Sequence, residues 1–288
     1  MNYRHAFHAG NFADVFKHAV LALVLDRLRA KDKPFRVIDT HAGAGRYDLA
    51  GVEAGRTGEA RHGIGALIEA PPELPALRPY LDALGRLGAG RALYPGSPLL
   101  AHAFLRAQDR LQLAELHPDE AAALAALFPG DPRVDVEMID GWRALRAWLP
   151  PRERRGVVLI DPPYEAKDEA AQAARGLAQG LKRWPTGIFL LWYPVKDRPS
   201  ADALVQTIAP ERAPRLLRAE LLVWPDQMGH RLNGSGLLVV NPPWRLADDI
   251  AALIPALHAR LRRADCAPGF CRWLRGGEQA DTSAGEAR

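Results

Sequence analysis

The sequence predicts an α/β protein with a doubly wound, Rossmann-like sheet of seven strands, and three observations carry that expectation. Short apolar, β-rich runs recur at 35–38, 111–114, 134–139, 156–160, 188–192, 220–224 and 236–240. Most are separated by stretches with apolar residues at helical spacing, the alternation that builds a parallel sheet covered by helices. The first run enters a glycine-rich turn, Asp39-Thr40-His41-Ala42-Gly43-Ala44-Gly45, where such a sheet places its ligands.

The elements follow in order. Asn11 is a candidate helix N-cap with Asp14 in the first turn, and Phe12, Val15, Phe16, Ala19, Val20 and Leu23 repeat at helical spacing, which predicts a helix over about 12–30. Pro34 then precedes the first strand. About 65 residues separate the glycine turn from the second strand, whereas a crossover needs little more than a dozen. A small helical insertion after the first strand is therefore expected at 47–95, broken by Pro71, Pro72, Pro75 and the glycines at 85, 88 and 90. The runs at 220–224 and 236–240 flank a polar loop with no helix between them, so they should pair as an antiparallel hairpin. The expected organisation is a sheet domain formed by 1–46 and 96–275, the inserted lobe 47–95, and a small polar tail, 276–288, expected to be disordered.

Bulk properties narrow the class. The chain has 288 residues, 48% of them apolar, enough for a sizeable core. The longest apolar run, 19–25, is well short of the roughly 20 residues of a membrane helix, so no membrane span is expected. The opening residues carry Arg4, His5 and His8 in place of a secretory pattern, which points to the cytoplasm. Cys266 and Cys271 resemble neither a disulfide framework nor a zinc site and are expected to be reduced thiols. A net charge of +4 leans towards a polyanionic partner, although 32 Arg against six Lys fits codon bias as well as phosphate recognition.

The strongest chemical signal is Val157-Val158-Leu159-Ile160-Asp161-Pro162-Pro163-Tyr164, a buried strand ending in a carboxylate, two prolines and an aromatic ring. The lone pair of an adenine amino nitrogen is delocalised into the ring, so a catalyst must draw it back onto nitrogen. Asp161 can accept one N–H and the carbonyl of Pro162 the other. The prolines lack N–H groups and fix φ, which holds both acceptors in a rigid turn. Tyr164 offers a face on which the base can stack. With a sulfonium methyl donor, in-line positioning supplies much of the rate. Val239-Val240-Asn241-Pro242-Pro243-Trp244 repeats the pattern, but it follows the antiparallel strand, away from the ends where ligands sit, and Asn241 is a neutral acceptor.

Gly43 and Gly45 would let the backbone approach the methionine part of such a donor, with His41 lining the pocket or serving only as a turn residue. Glu115 ends the second strand, where a carboxylate can accept ribose hydroxyls, and Asp140 ends the third, where it can face the adenine edge of the cofactor. Either would otherwise be a solvated strand-end carboxylate. The opening stretch from Tyr3 to Asn11, followed by Lys17 and His18, mixes rings and cations in a way that suits phosphates and an extruded base. His5 and His8 lack a completing ligand set, so no metal is expected.

Taken together, the segments 3–18, 39–47, 94–98 and 115–118, with Asp140-Gly141 and 161–164, resemble the large-subunit ribosomal RNA methyltransferase J family over nearly the whole chain. The resemblance implies a class I methyltransferase sheet with a small insertion and an N-terminal motif ahead of the glycine turn. It implies S-adenosyl-L-methionine as cofactor and methylation of the N6 amino group of one adenine in 23S ribosomal RNA. It implies His18, His41, Ser97, Glu115, Asp140, Gly141 and Asp161 as cofactor contacts, Asp161 also as the catalytic residue, and Tyr3, His5 and Lys17 as substrate-handling residues. The expected partner is 23S ribosomal RNA before full ribosome assembly, met by a monomer. A DNA adenine methyltransferase is the alternative enzyme, disfavoured by the small inserted lobe. A noncatalytic RNA-binding assembly factor is the other alternative, disfavoured by intact Asp161, Tyr164, Gly43 and Gly45.

Overall fold

The computed structural model describes residues 5–90, 92–166, 168–226 and 231–277. In chain order the strands are β1 (Arg36–Asp39), β2 (Arg46–Asp48), β3 (Leu93–Pro95), β4 (Arg110–Glu115), β5 (Val134–Met138), β6 (Gly156–Ile160), β7 (Ile188–Val195), β8 (Leu216–Leu222), β9 (Gly234–Val240) and β10 (Gly269–Arg275). Eight of them form one sheet in the order β10-β8-β9-β7-β6-β1-β4-β5. The pairs β1 with β4, β1 with β6, β4 with β5 and β6 with β7 are parallel. β9 is antiparallel to both β7 and β8, so the expected hairpin is present, with β9 inserted between its neighbours.

The sheet has one strand more than the seven expected. β10 pairs antiparallel with β8 at the sheet edge, with a register shift between Trp273 and Arg275. Its sequence, GFCRWLR, interleaves arginines with half-buried residues, so no clean apolar run marks it. β8 also begins earlier than its run at 220–224 suggested, because Arg218 interrupts the apolar stretch 216–219 yet is buried inside the strand, as is Glu220. Tyr193 donates to Glu220 Oε1 at 2.7 Å, and Arg218 Nε and Arg198 Nη1 reach the same carboxylate at 2.8 and 2.5 Å. Paired charges can occupy a core where single ones cannot.

The N-terminal helix α1 (Phe12–Arg29) is apolar around most of its circumference and almost wholly buried. It lies on the sheet near β6 and β9 and is covered by residues 61–86 and by the helix Leu246–Leu261. A helix enclosed in this way needs no polar face along its middle. The segment 47–95 leaves and returns through the antiparallel pair β2 and β3. It contains the helices Val52–Thr57, Ala66–Glu69 and Arg78–Arg86. Its Ile64, Leu67, Leu77, Tyr80 and Leu84 join the same core as Phe16, Val20, Leu23, Val24 and Leu25 of α1. The segment thus fixes the face that α1 turns towards the sheet edge. Residues 278–288 of the tail lie outside the described residues. Among the described residues no helix is long and apolar enough to cross a membrane.

Candidate active site

The parallel strands deliver their following loops to one edge, and the side chains there enclose a cavity of about 1190 Å³. Pockets for one small ligand run to roughly 300–1,000 Å³, so this one has room for more than a single nucleoside-sized group. His5, Lys17, His18, His41, Gly43, Ser97, Glu115, Asp140, Gly141, Asp161, Pro162 and Tyr164 all line it. Gly45 does not: a Cβ there would meet Leu124 Cδ1 at 2.7 Å and Leu127 Cδ1 at 2.9 Å, so its positive φ of 74° serves packing of the turn against the end of the helix Pro118–Ala125. Tyr3 lies outside the described residues.

One end of the cavity is built on β1, β4 and β5. Gly43 has φ +61°, and a Cβ on it would stand 2.3 Å from the Tyr47 hydroxyl, so only glycine fits this bend. Its N–H donates to Glu115 Oε2 at 2.8 Å, and the N–H of His117 donates to Oε1 at 2.8 Å. Glu115 is thereby fixed in direction while each oxygen keeps a second lone pair for a ligand. Asp140 caps the helix Gly141–Trp148 by accepting from the Arg143 N–H at 2.9 Å, leaving its other oxygen unengaged in that cap. His41 accepts or donates at Nδ1 with Thr40 Oγ1 at 2.8 Å and sets its ring edgewise against Trp142. Burial, opposed by Asp161 and Asp140, lowers its pKa to about 4, so it is neutral at pH 7. Burial likewise raises the Asp39 carboxyl to about 6.

The middle of the cavity joins α1 to the end of β6. Asn11 caps α1 by accepting from the N–H groups of Ala13 and Asp14. The first turns then present Asp14, Lys17 and His18 on one face, as spacings of three and four require. Lys17, only 4% exposed, places its Nζ 2.9 Å from Asp14 Oδ1 and donates to Asp161 Oδ2. Burial works against its charge, but the two carboxylates overcome this and raise its pKa. Asp14 also accepts from His5 Nε2 and from the Gly10 N–H, each at 2.9 Å. Burial opposes its charge too, yet His5 and Lys17 hold its carboxyl well below the usual carboxylate range. His18 meets the Tyr94 hydroxyl at 2.6 Å, and burial lowers its pKa to about 3.

Asp161 follows β6 with its side chain 17% exposed, open to the cavity on the side away from Lys17. Tyr164 sits at φ 53°, a left-handed conformation that a tyrosine adopts only when its surroundings hold it. Its hydroxyl donates to the Trp192 carbonyl at 3.0 Å, and its ring meets the Trp192 indole edgewise at 5.9 Å. Asn241, in the second proline pair, instead donates to the carbonyls of Pro185 and Gly187, both at 2.8 Å, and ties a loop beyond the cavity.

Asp14, Trp142 and Trp192 are cavity residues that sequence reasoning did not single out. An acid in a first helical turn has an ordinary reason to be there, since it complements the helix dipole; Trp192 sits in a run that reads as a core strand, and Trp142 follows Asp140-Gly141 with no pattern of its own. Among the described residues no group of His, Cys, Asp and Glu is arranged to hold a metal ion. Cys266 and Cys271 are both free thiols.

Comparison with known proteins gives one consistent relationship. The family model described as ribosomal RNA large subunit methyltransferase D, RlmJ, matches residues 32–274. A relative from Escherichia coli, ribosomal RNA large subunit methyltransferase J, is 44% identical over 277 residues, 95% of this chain and 99% of that protein. The protein of the same name from Haemophilus influenzae is 40% identical over 264 residues, 91% of this chain and 94% of that one. A solved structure from Legionella pneumophila superposes with a TM-score of 0.81 at 34% identity, covering 93% of this chain and 97% of that one. The chain belongs to the RlmJ family of ribosomal RNA large subunit methyltransferases.

Proposed function

We propose that this protein transfers a methyl group from S-adenosylmethionine to the N6 amino group of an adenine in 23S ribosomal RNA. The observation that carries the reading is the position of Asp161 and Pro162. They form a rigid acceptor pair in the middle of a cavity, with carboxylates and a glycine bend on one side and rings and cations on the other. When bound, S-adenosylmethionine supplies an activated sulfonium methyl group. The residues present fit such a ligand: Glu115 and Asp140 offer acceptors to a diol and an amino edge, the Gly43 bend leaves no side chain in the way, and Leu116, 52% exposed, gives an apolar surface for a purine.

Within that frame, Asp161 accepts one amino hydrogen of the base and the Pro162 carbonyl the other, which localises the lone pair on nitrogen and stabilises the positive charge that develops there. Lys17 holds the Asp161 carboxylate in place through their hydrogen bond, and Asp14 helps keep Lys17 charged. Tyr164, anchored through its hydroxyl, stacks the base. His5 and Lys17 face the incoming nucleotide, and His18, His41, Ser97 and Gly141 shape the cofactor side. A base must leave its helix to reach this depth, which favours RNA not yet enclosed in a finished particle, handled by a single cytoplasmic copy of the chain.

Incubation with labelled cofactor and unmodified large-subunit ribosomal RNA, beside DNA of the same sequence, tests the reading. Label recovered as N6-methyladenosine from RNA is expected. Transfer to DNA alone would reassign the substrate, and label on guanine or cytosine would overturn the base assignment.

A further inference from the structure

The cavity continues past Asp161, beyond what a cofactor and one base require. Its order follows the sheet: Asp140, Glu115 and Gly43 stand after β5, β4 and β1, Asp161 after β6, Lys196 after β7, Arg231 ahead of β9 and Trp224 after β8. From β6 to β8 is three strand spacings, about 14 Å at roughly 4.8 Å each. The far end therefore lies a nucleotide or more from the reacting amino group.

Trp224 lines that end half-buried, with the guanidinium of Arg231 4.6 Å and that of Arg263 5.8 Å from its ring centroid. Both arginines are exposed, as is Lys196. Elsewhere arginines such as Arg27, Arg36, Arg106, Arg133 and Arg218 meet carboxylates. Among the described residues Arg231 and Arg263 meet none, and their contacts are to the indole. The backbone beneath is firmly held: the Trp224 N–H donates to the Asn233 carbonyl at 3.2 Å and the Arg263 N–H to the Val223 carbonyl at 2.8 Å. His62 lies at the same rim, and its pKa is lowered by burial first and then by Arg263 and Arg61. A half-buried indole flanked by two arginines without carboxylate partners, at the far end of the cavity, is what single-stranded RNA uses, a stacking face with phosphate contacts around it.

We propose that Trp224, Arg231 and Arg263, with Lys196, form a docking platform for the RNA nucleotides next to the target adenine: the indole stacks a flanking base and the cations hold its phosphates. The assignment rests on the RNA methyltransferase reading above and adds where the strand leaves the catalytic corner. The test measures RNA affinity, its salt dependence and cofactor affinity in the full-length protein, using an unmodified ribosomal RNA fragment. Trp224→Ala is expected to weaken RNA binding about tenfold or more, with Trp224→Phe retaining most of the affinity. The exposed pair Arg231→Gln/Arg263→Gln is expected to lower the slope of log affinity against log salt by about 0.7 for each lost phosphate contact. Cofactor affinity is expected to stay unchanged in all of them.

Unchanged RNA affinity and salt slope in both Trp224→Ala and the double arginine variant, with wild-type protein still methylating the RNA, would overturn the platform alone. Failure of wild-type protein to methylate RNA would overturn the functional reading and the platform with it. The arginine pair changes only exposed groups, so it decides the question even where Trp224→Ala does not fold.

Discussion

Lys17 and Asp161, 144 residues apart in the chain, are joined by a direct charged hydrogen bond, and the same ammonium lies 2.9 Å from Asp14. One buried cation thus serves two carboxylates, the buried Asp14 and the partly exposed Asp161 that lines the cavity. Removing one partner of a buried ion pair costs about 3–5 kcal/mol because it strands the other charge.

The two ends of that bridge should therefore respond differently. Lys17→Met strands the buried Asp14 carboxylate beside the partly exposed Asp161 and is expected to destabilise the fold by about 3–5 kcal/mol. Asp161→Asn leaves Lys17 paired with Asp14 and should cost much less, while lowering the methyl-transfer rate about 100-fold or more. Denaturant unfolding of both variants checks the contrast, and equal destabilisation would contradict it.

Glu115 and Tyr164 lie on opposite sides of Asp161, which separates their roles. Glu115→Ala removes a fixed carboxylate and is expected to weaken cofactor binding about 10- to 100-fold, by the roughly 1.5–3 kcal/mol of a hydrogen bond to a charged group. Tyr164→Ala is expected to leave cofactor affinity intact and to slow turnover through the loss of a stacking contact of about 1–3 kcal/mol. Calorimetric titration with cofactor, beside steady-state kinetics on RNA, distinguishes the two. Equal loss of both quantities in each variant would be the wrong result.

His18 gives the pH prediction. Its folded pKa, about 3, is below the ordinary 6.5, so the unfolded chain binds the extra proton. The stability it contributes is complete above about pH 6.5 and is lost as pH falls towards 3, by up to about 1.4 kcal/mol per pH unit. His41 acts in the same direction down to about 4, whereas Asp39, raised to about 6, acts in the opposite direction as pH rises from 4. The clean measurement is a difference: His18→Gln should flatten the slope of unfolding free energy between pH 6.5 and 4.5 by about one proton relative to wild type. Parallel slopes in the two proteins would refute it.

The buried network of Arg218, Glu220 and Tyr193 supplies a prediction away from the site. Arg218 is 3% exposed and Glu220 fully buried, so Arg218→Met leaves a carboxylate held only by Arg198 and Tyr193. A loss of about 1–3 kcal/mol in unfolding free energy is expected, with methyl transfer at low temperature unaffected.

The parts of the architecture legible in the sequence are those encoded by contiguous residues. The run into Asp161 and the two prolines, the bend at Gly43, and the alternation of strands with helices each declare themselves within a few positions. β10 does not, because its pairing with β8 rather than its own composition makes it a strand. The burial of Arg218 and Glu220 leaves no trace in the sequence, because nothing local reveals that Tyr193 and Arg198 meet them in the fold. Asp14 reads as a helix-dipole partner for the same reason: its ligands His5, Gly10 and Lys17 assemble only when α1 is docked. Gly45 carries the opposite lesson, since a glycine in a ligand turn can be there for the helix packed behind it.

The most direct test is a single-turnover methyl transfer to unmodified 23S ribosomal RNA by protein already saturated with labelled cofactor, comparing wild type with Asp161→Asn. Wild type should yield N6-methyladenosine at one position, and Asp161→Asn should bind cofactor and RNA yet transfer about 100-fold more slowly. Transfer by Asp161→Asn at the wild-type rate would contradict the account.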